Sequence, residues 1–232
     1  MSQIPNTLSA NKQIMGQYWF IANLSLEKTV EPHYYGAGAK LVEFCMDPAT
    51  LRVFFNLFCK HGWNDSRIAV VGDYADDTSP FSTHGFAPVS LYELNMTTVR
   101  ADLFKVGVDH RFAERFGGRL IPSVAIPKTG FYVFNLDKME KVRLFTAKKK
   151  DTQTHVAILM WLLADKSCVG ADIGDFRNAS SDPRVAYTCG RWAGDRIRVD
   201  VKNDRKYRTL ATESFNATRT FFKRTILQDS KP

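Results

Sequence analysis

The feature that most constrains the fold is a phrase that occurs twice in the chain. Residues 63–70 read Trp-Asn-Asp-Ser-Arg-Ile-Ala-Val and residues 192–199 read Trp-Ala-Gly-Asp-Arg-Ile-Arg-Val, at an offset of 129 residues. Upstream, residues 18–28 and 131–141 are aromatic and β-branched runs that share Asn-Leu at an offset of 112 residues. Because self-similarity in a fixed order indicates repeated structural units, the sequence predicts two related halves, with a net insertion of 17 residues in the second.

Each half also contains a helical pattern between the paired phrases. In the first half, Asp47 is a natural N-cap and Pro48 suits the first helical position. Apolar residues within 51–58 then recur at i, i+3, i+4 and i+7, which is one face of a helix. In the second half a helix is predicted to begin at Asp151 or Thr152, and its apolar centre predicts deep burial.

The remaining patterns indicate strands. Residues 68–71 are continuously apolar, and Ile197, Val199 and Val201 alternate with charged residues, which is typical of a half-exposed strand. The Asn-Leu runs each predict a hairpin before the helix. The sequence therefore predicts an α+β fold, a single compact domain of two pseudo-repeated halves, each a mainly antiparallel β segment covered by a helix. The predicted divisions are an N-terminal extension at 1–14, the domain at 15–210 with halves at about 15–116 and 117–210, and a C-terminal helix or arm at 211–232.

Four segments carry a resemblance to a known family: MGQYWFIANL (15–24), VVGDYADD (70–77), YVFNLDKMEKV (132–142) and GRWAGDRIRV (190–199). The chain resembles a family of uncharacterised fungal and bacterial proteins that begin MGQYW-x-x-x-NL, carry WAGDRI-x-x-GDYA, and carry a second WAGDR-like phrase near the end. The resemblance spans residues 15 to about 201; it implies the same organisation and no particular activity. One departure is WNDSRI, where the carboxylate stands at Asp65 and not directly before Arg67.

The charge is divided unequally between the halves. The net charge is +8, but residues 1–116 hold 10 Lys/Arg against 12 Asp/Glu, while residues 117–232 hold 22 against 12. Such asymmetry is typical of a face that binds nucleic acid or another polyanion, and also of a face merely solvated by Lys and Arg.

Length and cysteine usage indicate an intracellular protein. The longest apolar run, residues 156–164, is about half of the roughly 18 residues that a membrane helix needs. The four cysteines form no CxxC pair, and free thiols in apolar surroundings are typical of a reducing compartment. We therefore expect a cytoplasmic protein without a membrane partner.

Carboxylates and one histidine suggest an enzymatic alternative. Asp73, Asp76 and Asp77 follow a predicted buried strand, and such oxygen ligands suit a hard cation such as Mg²⁺ or Ca²⁺. His33 lies in a loop rich in Pro, Gly and Tyr and is the candidate acid–base residue beside Asp73. The structural interpretation of the same aspartate is a turn in which Asp73 bonds its own backbone or pairs with Arg67.

The Trp–Arg phrases are candidates for ligand binding. Each phrase holds a Trp and an Arg that would bind a ligand through a cation–π contact: Trp63 with Arg67, and Trp192 with Arg196. The structural interpretation is that each Trp closes the end of the core, and the presence of the phrase in both halves favours it. Arg198 and Lys202 are expected on one strand face, where they would follow a phosphate backbone.

Two functions remain at this point. The first is a non-catalytic binding or interaction module, in one version self-associating as a homo-oligomer, whose basic second half contacts a polyanion such as nucleic acid. The alternative is a metal- or carboxylate-dependent hydrolase that uses the Asp73, Asp76 and Asp77 cluster with His33. No motif indicates a cofactor, and the sequence does not decide whether the protein is an enzyme.

Overall fold

The computed structural model describes residues 18–30, 47–72, 97–98, 125–145, 149–166 and 182–229, together with single positions between 32 and 43. Eight strands lie in these segments: β1 (Trp19–Asn23), β2 (Lys28–Val30), β3 (Ser66–Gly72), β4 (Thr97–Thr98), β5 (Phe131–Asn135), β6 (Glu140–Leu144), β7 (Arg196–Asp200) and β8 (Arg208–Thr209). The helices of the same segments are α1 (Pro48–Lys60), α2 (Lys149–Leu163), α3 (Pro183–Thr188) and α4 (Glu213–Asp229).

Two hairpins are closed in the same way. In the turn after β1, Asn23 Oδ1 accepts a hydrogen bond from the Leu26 N–H, and after β5, Asn135 Oδ1 accepts one from the Lys138 N–H. Asn suits these positions because its side chain bonds the backbone of its own turn. The last turn residues, Glu27 and Met139, both adopt φ 53°. The sequence predicted a hairpin before each helix, and the structure has both.

Helix α1 begins and ends as its sequence predicts. The Asp47 carboxylate accepts a hydrogen bond of 2.7 Å from the Ala49 N–H, and Pro48 takes the first helical position. At the other end the His61 N–H donates to the Leu57 carbonyl, and Gly62 turns the chain at φ 72°. Helix α2 begins at Lys149, two residues before the predicted Asp151.

All eight strands form one mixed sheet in the order β4-β2-β1-β3-β7-β5-β6-β8. From each edge to the centre the two halves run in the same succession, β4-β2-β1-β3 and β8-β6-β5-β7. Both edge strands pair in parallel, and every other pairing is antiparallel.

The registers of the two halves also correspond. Asn23 of β1 stands opposite Ile68 of β3, and Asn135 of β5 stands opposite Ile197 of β7, at the offsets of 112 and 129 read from the sequence. A duplication of the sequence itself stays a prediction, but the strands that the two phrases form have matching neighbours.

One face of the sheet is covered by helices, which confirms the predicted α+β class. Helix α1 contacts α2 and β7, and α2 contacts β3, so each helix reaches the central strand of the other half. The ring centroids of Phe55 on α1 and Phe131 on β5 are 4.8 Å apart. Residues 156–164 are all buried, as their apolar sequence predicted. No helix in the described segments is both long and apolar enough to cross a bilayer.

Candidate functional site

The two Trp–Arg phrases meet at the centre of the sheet. Strands β3 and β7 pair only at their first residues, so Arg67 and Arg196 stand directly opposite each other. Two backbone bonds of 2.8 Å flank this pair, from the Asp65 N–H to the Ile197 carbonyl and from the Gly194 N–H to the Ile68 carbonyl. We call the pair and the charged side chains around it the central junction; its other members are Asp65, Asp137, Lys138, Asp195 and Arg198.

Asp137 joins the two arginines. Its Oδ1 accepts a bond of 2.7 Å from Arg196 Nε, its Oδ2 accepts the Arg196 N–H at 2.9 Å, and Arg67 Nη1 lies 3.3 Å from Oδ2. Burial alone would raise the pKa of Asp137, but the hydrogen bonds and charge of Arg196 outweigh it and hold this pKa below its usual range. In the first half Ser25 takes the corresponding place, because its Oγ accepts the Arg67 N–H at 2.9 Å.

The other carboxylates of the central junction are matched as well. Arg198 holds Asp65 through two bonds, of 2.7 and 2.8 Å, and this contact lowers the pKa of Asp65. Asp195 accepts bonds from Asn135 Nδ2 and from Lys138 Nζ. Arg67, Arg196 and Arg198 are all paired with carboxylates of this same protein. These pairs connect the two halves, and a ligand would have to compete with them.

The two tryptophans of the phrases lie in the core. Trp63 and Trp192 are both 0% exposed, as expected if each Trp closes the end of the core. Neither ring therefore has surface that a ligand could contact. The Trp192 indole N–H donates a hydrogen bond of 3.0 Å to Glu140 Oε2.

Glu140 is a buried carboxylate that three donors satisfy. Arg191 donates to it at 2.5 and 3.2 Å, Arg208 donates at 2.8 Å, and Trp192 is its third donor. Burial would raise the pKa of Glu140, but the hydrogen bonds from these three residues hold it below its usual range. No local pattern of residues indicated this cluster, because Glu140 lies 51 to 68 residues from its partners.

The sequence predicted Arg198 and Lys202 on one strand face, but Lys202 lies outside the strand that holds Arg198. Strand β7 ends at Asp200, because the Asp200 carboxylate accepts the Lys202 N–H at 2.9 Å and turns the chain there. Val201 is consequently 48% exposed, although its alternating pattern predicted a buried side chain. Lys202 itself is exposed.

The residues of the hydrolase alternative cannot be placed. His33, Asp73, Asp76 and Asp77 all lie outside the described residues, so their acid–base and metal-binding roles stay predictions. Within the segments that are described, no group of three or more His, Cys, Asp or Glu side chains is arranged to hold a metal ion.

Several exposed cations of the second half have no carboxylate partner among the described residues. They are Lys128, Arg143, Lys202, Arg205, Arg219, Lys223 and Arg224. In the same segments Arg196, Arg198 and Lys206 are paired with aspartates. The positive charge that the sequence placed in this half is therefore only partly neutralised by its own acids.

One of these cations is held in place by a carbonyl and two rings, with no acid beside it in the described segments. The Arg143 guanidinium donates 3.0 Å to the Thr129 carbonyl and lies over two rings, 5.5 Å from the Tyr132 centroid and 4.5 Å from that of Phe145. We call Lys128, Thr129, Tyr132, Arg143 and Phe145 the Arg143 patch. Sequence reasoning missed it, although Arg143 alternates with the buried Val142 and Leu144 and so had to leave the core.

Phe145 connects the Arg143 patch to the buried His155 on helix α2. His155 Nδ1 lies 3.0 Å from both the backbone nitrogen and the carbonyl oxygen of Phe145, and the two rings are 5.7 Å apart. Burial lowers the pKa of His155, and the nearby positive charge of Arg219 on α4 lowers it further. Arg219, Lys223 and Arg224 are exposed on α4, while Thr218, Phe222 and Ile226 of the same helix are buried.

A pocket of about 380 Å³ lies between α3 and α4. Arg184 at its rim already binds Asp182 at 3.0 Å and Glu213 at 3.3 Å, so both signs of charge line it. This mixed lining favours no single class of ligand.

Comparison with protein-family models, with curated proteins and with solved structures finds no match to this chain.

Proposed function

We propose that this protein is a non-catalytic binding module whose second half contacts an anionic partner. The observation that carries the proposal is the set of exposed cations at residues 128–224 that no described carboxylate neutralises. Cations of this kind attract polyanions, since each contact releases a counterion from the partner.

The arginines of the central junction differ from the exposed cations in whether a carboxylate already pairs with them. At the central junction, Arg67 and Arg196 share Asp137, so a partner's phosphate would have to displace an existing pair. Arg143, Lys223 and Arg224 carry no such cost, because no described acid holds them. The anionic partner is therefore expected at the Arg143 patch and along α4.

The test is a salt titration of binding to linear polyphosphate with two matched double variants. Lys223→Ala with Arg224→Ala removes two exposed charges from α4, and Arg52→Ala with Lys60→Ala removes two exposed charges from α1 in the first half. The wild-type protein should bind polyphosphate at low salt and lose affinity as salt rises.

The α4 double variant should bind more weakly than the α1 double variant and show a shallower dependence on salt. Absence of binding by the wild-type protein at low salt, where this interaction is strongest, would refute the proposed function. Equal losses in the two variants would show that only total charge matters and would refute the assignment to the second half.

A further inference from the structure

We infer that the Arg143 patch is a binding site for single-stranded nucleic acid. This inference rests on the proposed function and specifies its partner: phosphates meet Arg143 and Lys128, and a base packs on the Tyr132 and Phe145 rings.

The patch is built from two strands and one turn. Tyr132 on β5 and Arg143 on β6 are cross-strand partners, so their side chains project from the same face of the sheet. That face is opposite the one reached by Val133 and Val142, which are buried in the main core. The turn that carries Lys128 and Thr129 is closed by a 2.8 Å bond from the Gly130 N–H to the Pro127 carbonyl.

Gly130 fixes this turn against the strand. It adopts φ 80°, and a Cβ at this position would lie 2.1 Å from the Leu144 carbonyl oxygen. The close approach brings the Thr129 carbonyl to Arg143, so the guanidinium is oriented before any ligand arrives. Pre-orientation lowers the entropy cost of binding, since this side chain is otherwise rich in rotamers.

The chemistry of the patch distinguishes nucleic acid from other polyanions. Arg143 spends one of its five N–H donors on Thr129 and keeps the others for phosphate oxygens. Tyr132 and Phe145 are both partly exposed. Polyphosphate and acidic peptides gain nothing specific from such rings, whereas bases of a single strand stack on aromatic side chains.

Neighbouring charges favour the same partner. Phe145 lies against His155, and Arg219 on α4 is close enough to the same histidine for its positive charge to lower the pKa of His155. On the other side Asp200 stands opposite Tyr132 and reduces the positive charge there, although its carboxylate already accepts the Lys202 N–H. A strand crossing the patch would therefore lie on the side of Lys128 and Arg143, away from Asp200.

The experiment measures binding of three probes by fluorescence anisotropy: a single-stranded oligonucleotide, the duplex of the same sequence, and polyphosphate as a competitor of matched charge. The variants are Tyr132→Leu, Tyr132→Phe and Arg143→Ala. Tyr187→Leu and Arg52→Ala are the matched controls, because both are exposed residues away from the patch. Each variant is first checked by its thermal unfolding, so that a loss of fold is not read as a loss of binding.

Tyr132→Leu should weaken single-strand binding by about fivefold or more and leave polyphosphate binding unchanged. Tyr132→Phe, which keeps the ring, should bind as the wild-type protein does. Arg143→Ala should weaken both probes and lower the slope of log K against log salt for the oligonucleotide by about 0.7. The two control variants should do neither.

Two results would overturn the inference while leaving the proposed function in place. One is equal affinity of Tyr132→Leu and wild type for the single strand; the other is tighter binding of the duplex than of the single strand. If the wild-type protein binds neither oligonucleotide nor polyphosphate at low salt, the proposed function is wrong and the inference with it.

Discussion

The buried carboxylate of Glu140 gives the sharpest prediction about stability. Replacing it by Ala leaves the Trp192 indole N–H without an acceptor in a fully buried site. It also leaves Arg191, whose side chain is 21% exposed, without its closest partner. Arg208 is 70% exposed and can turn to water, so its loss adds little.

The magnitude follows from these three contacts. A buried donor without an acceptor costs about 1–3 kcal/mol, and breaking a buried ion pair costs about 3–5 kcal/mol when both charges are fully enclosed. Because Arg191 keeps some contact with solvent, we expect Glu140→Ala to lower the free energy of unfolding by about 3 kcal/mol. For a chain of this size that is a fall in Tm of roughly 6–12 °C.

Urea unfolding followed by tryptophan fluorescence measures this difference. The matched control is Glu213→Ala, which removes a carboxylate that is 83% exposed and pairs with an exposed Arg184. That control should cost less than about 1 kcal/mol. If the two variants lose the same stability, the reasoning from burial and hydrogen bonding is wrong.

The pH dependence of the same cluster has a defined sign. The pKa of Glu140 is lowered in the folded protein, so its contribution is complete above the usual pKa of a glutamate. It is lost as the pH falls through the lowered pKa. The difference in stability between the wild-type protein and Glu140→Gln should therefore shrink on acidification; a difference that grows would contradict the assignment.

Three further predictions concern single side chains. Asn135→Ala should cost about 1 kcal/mol more than Asn23→Ala in urea unfolding, because Asn135 Nδ2 donates to Asp195 whereas Asn23 Nδ2 has no partner among the described residues; equal costs would contradict this. Asp47→Ala should cost about 1 kcal/mol through the lost cap of α1, and unchanged stability would show that the cap is dispensable. The pKa of His155 is lowered chiefly by burial, so stability should fall as the pH drops through the usual histidine range. His155→Gln should flatten that part of a pH–stability curve, and an unchanged curve would refute the assignment.

Local signals in the sequence predicted the elements well. The cap and proline at residues 47–48 define the start of α1, and the Asn-Leu turns define both hairpins. Each of these depends on bonds within about four residues, which a sequence displays directly.

Long-range pairing explains what sequence reasoning missed. Arg67 and Arg196 were candidates for ligand binding, but the acid that joins them, Asp137, lies 70 and 59 residues away. Only the order of the strands brings these three side chains together, and one sequence does not specify that order. The Arg143 patch is more local, because Thr129 lies 14 residues from Arg143 and Tyr132 pairs with Arg143 within the predicted hairpin. What sequence reasoning missed there is the register of the two strands.

Oligonucleotide binding by two single arginine variants tests most directly whether the Arg143 patch, and not the central junction, binds the partner. Within the segments that the structure describes, Arg196 is held by Asp137 at the central junction, and Arg143 is held only by a carbonyl and two rings. We expect Arg143→Ala to weaken binding and to reduce its salt dependence, while Arg196→Ala leaves both close to the wild-type values. Weaker binding by Arg196→Ala than by Arg143→Ala, with both variants folded, would contradict this expectation.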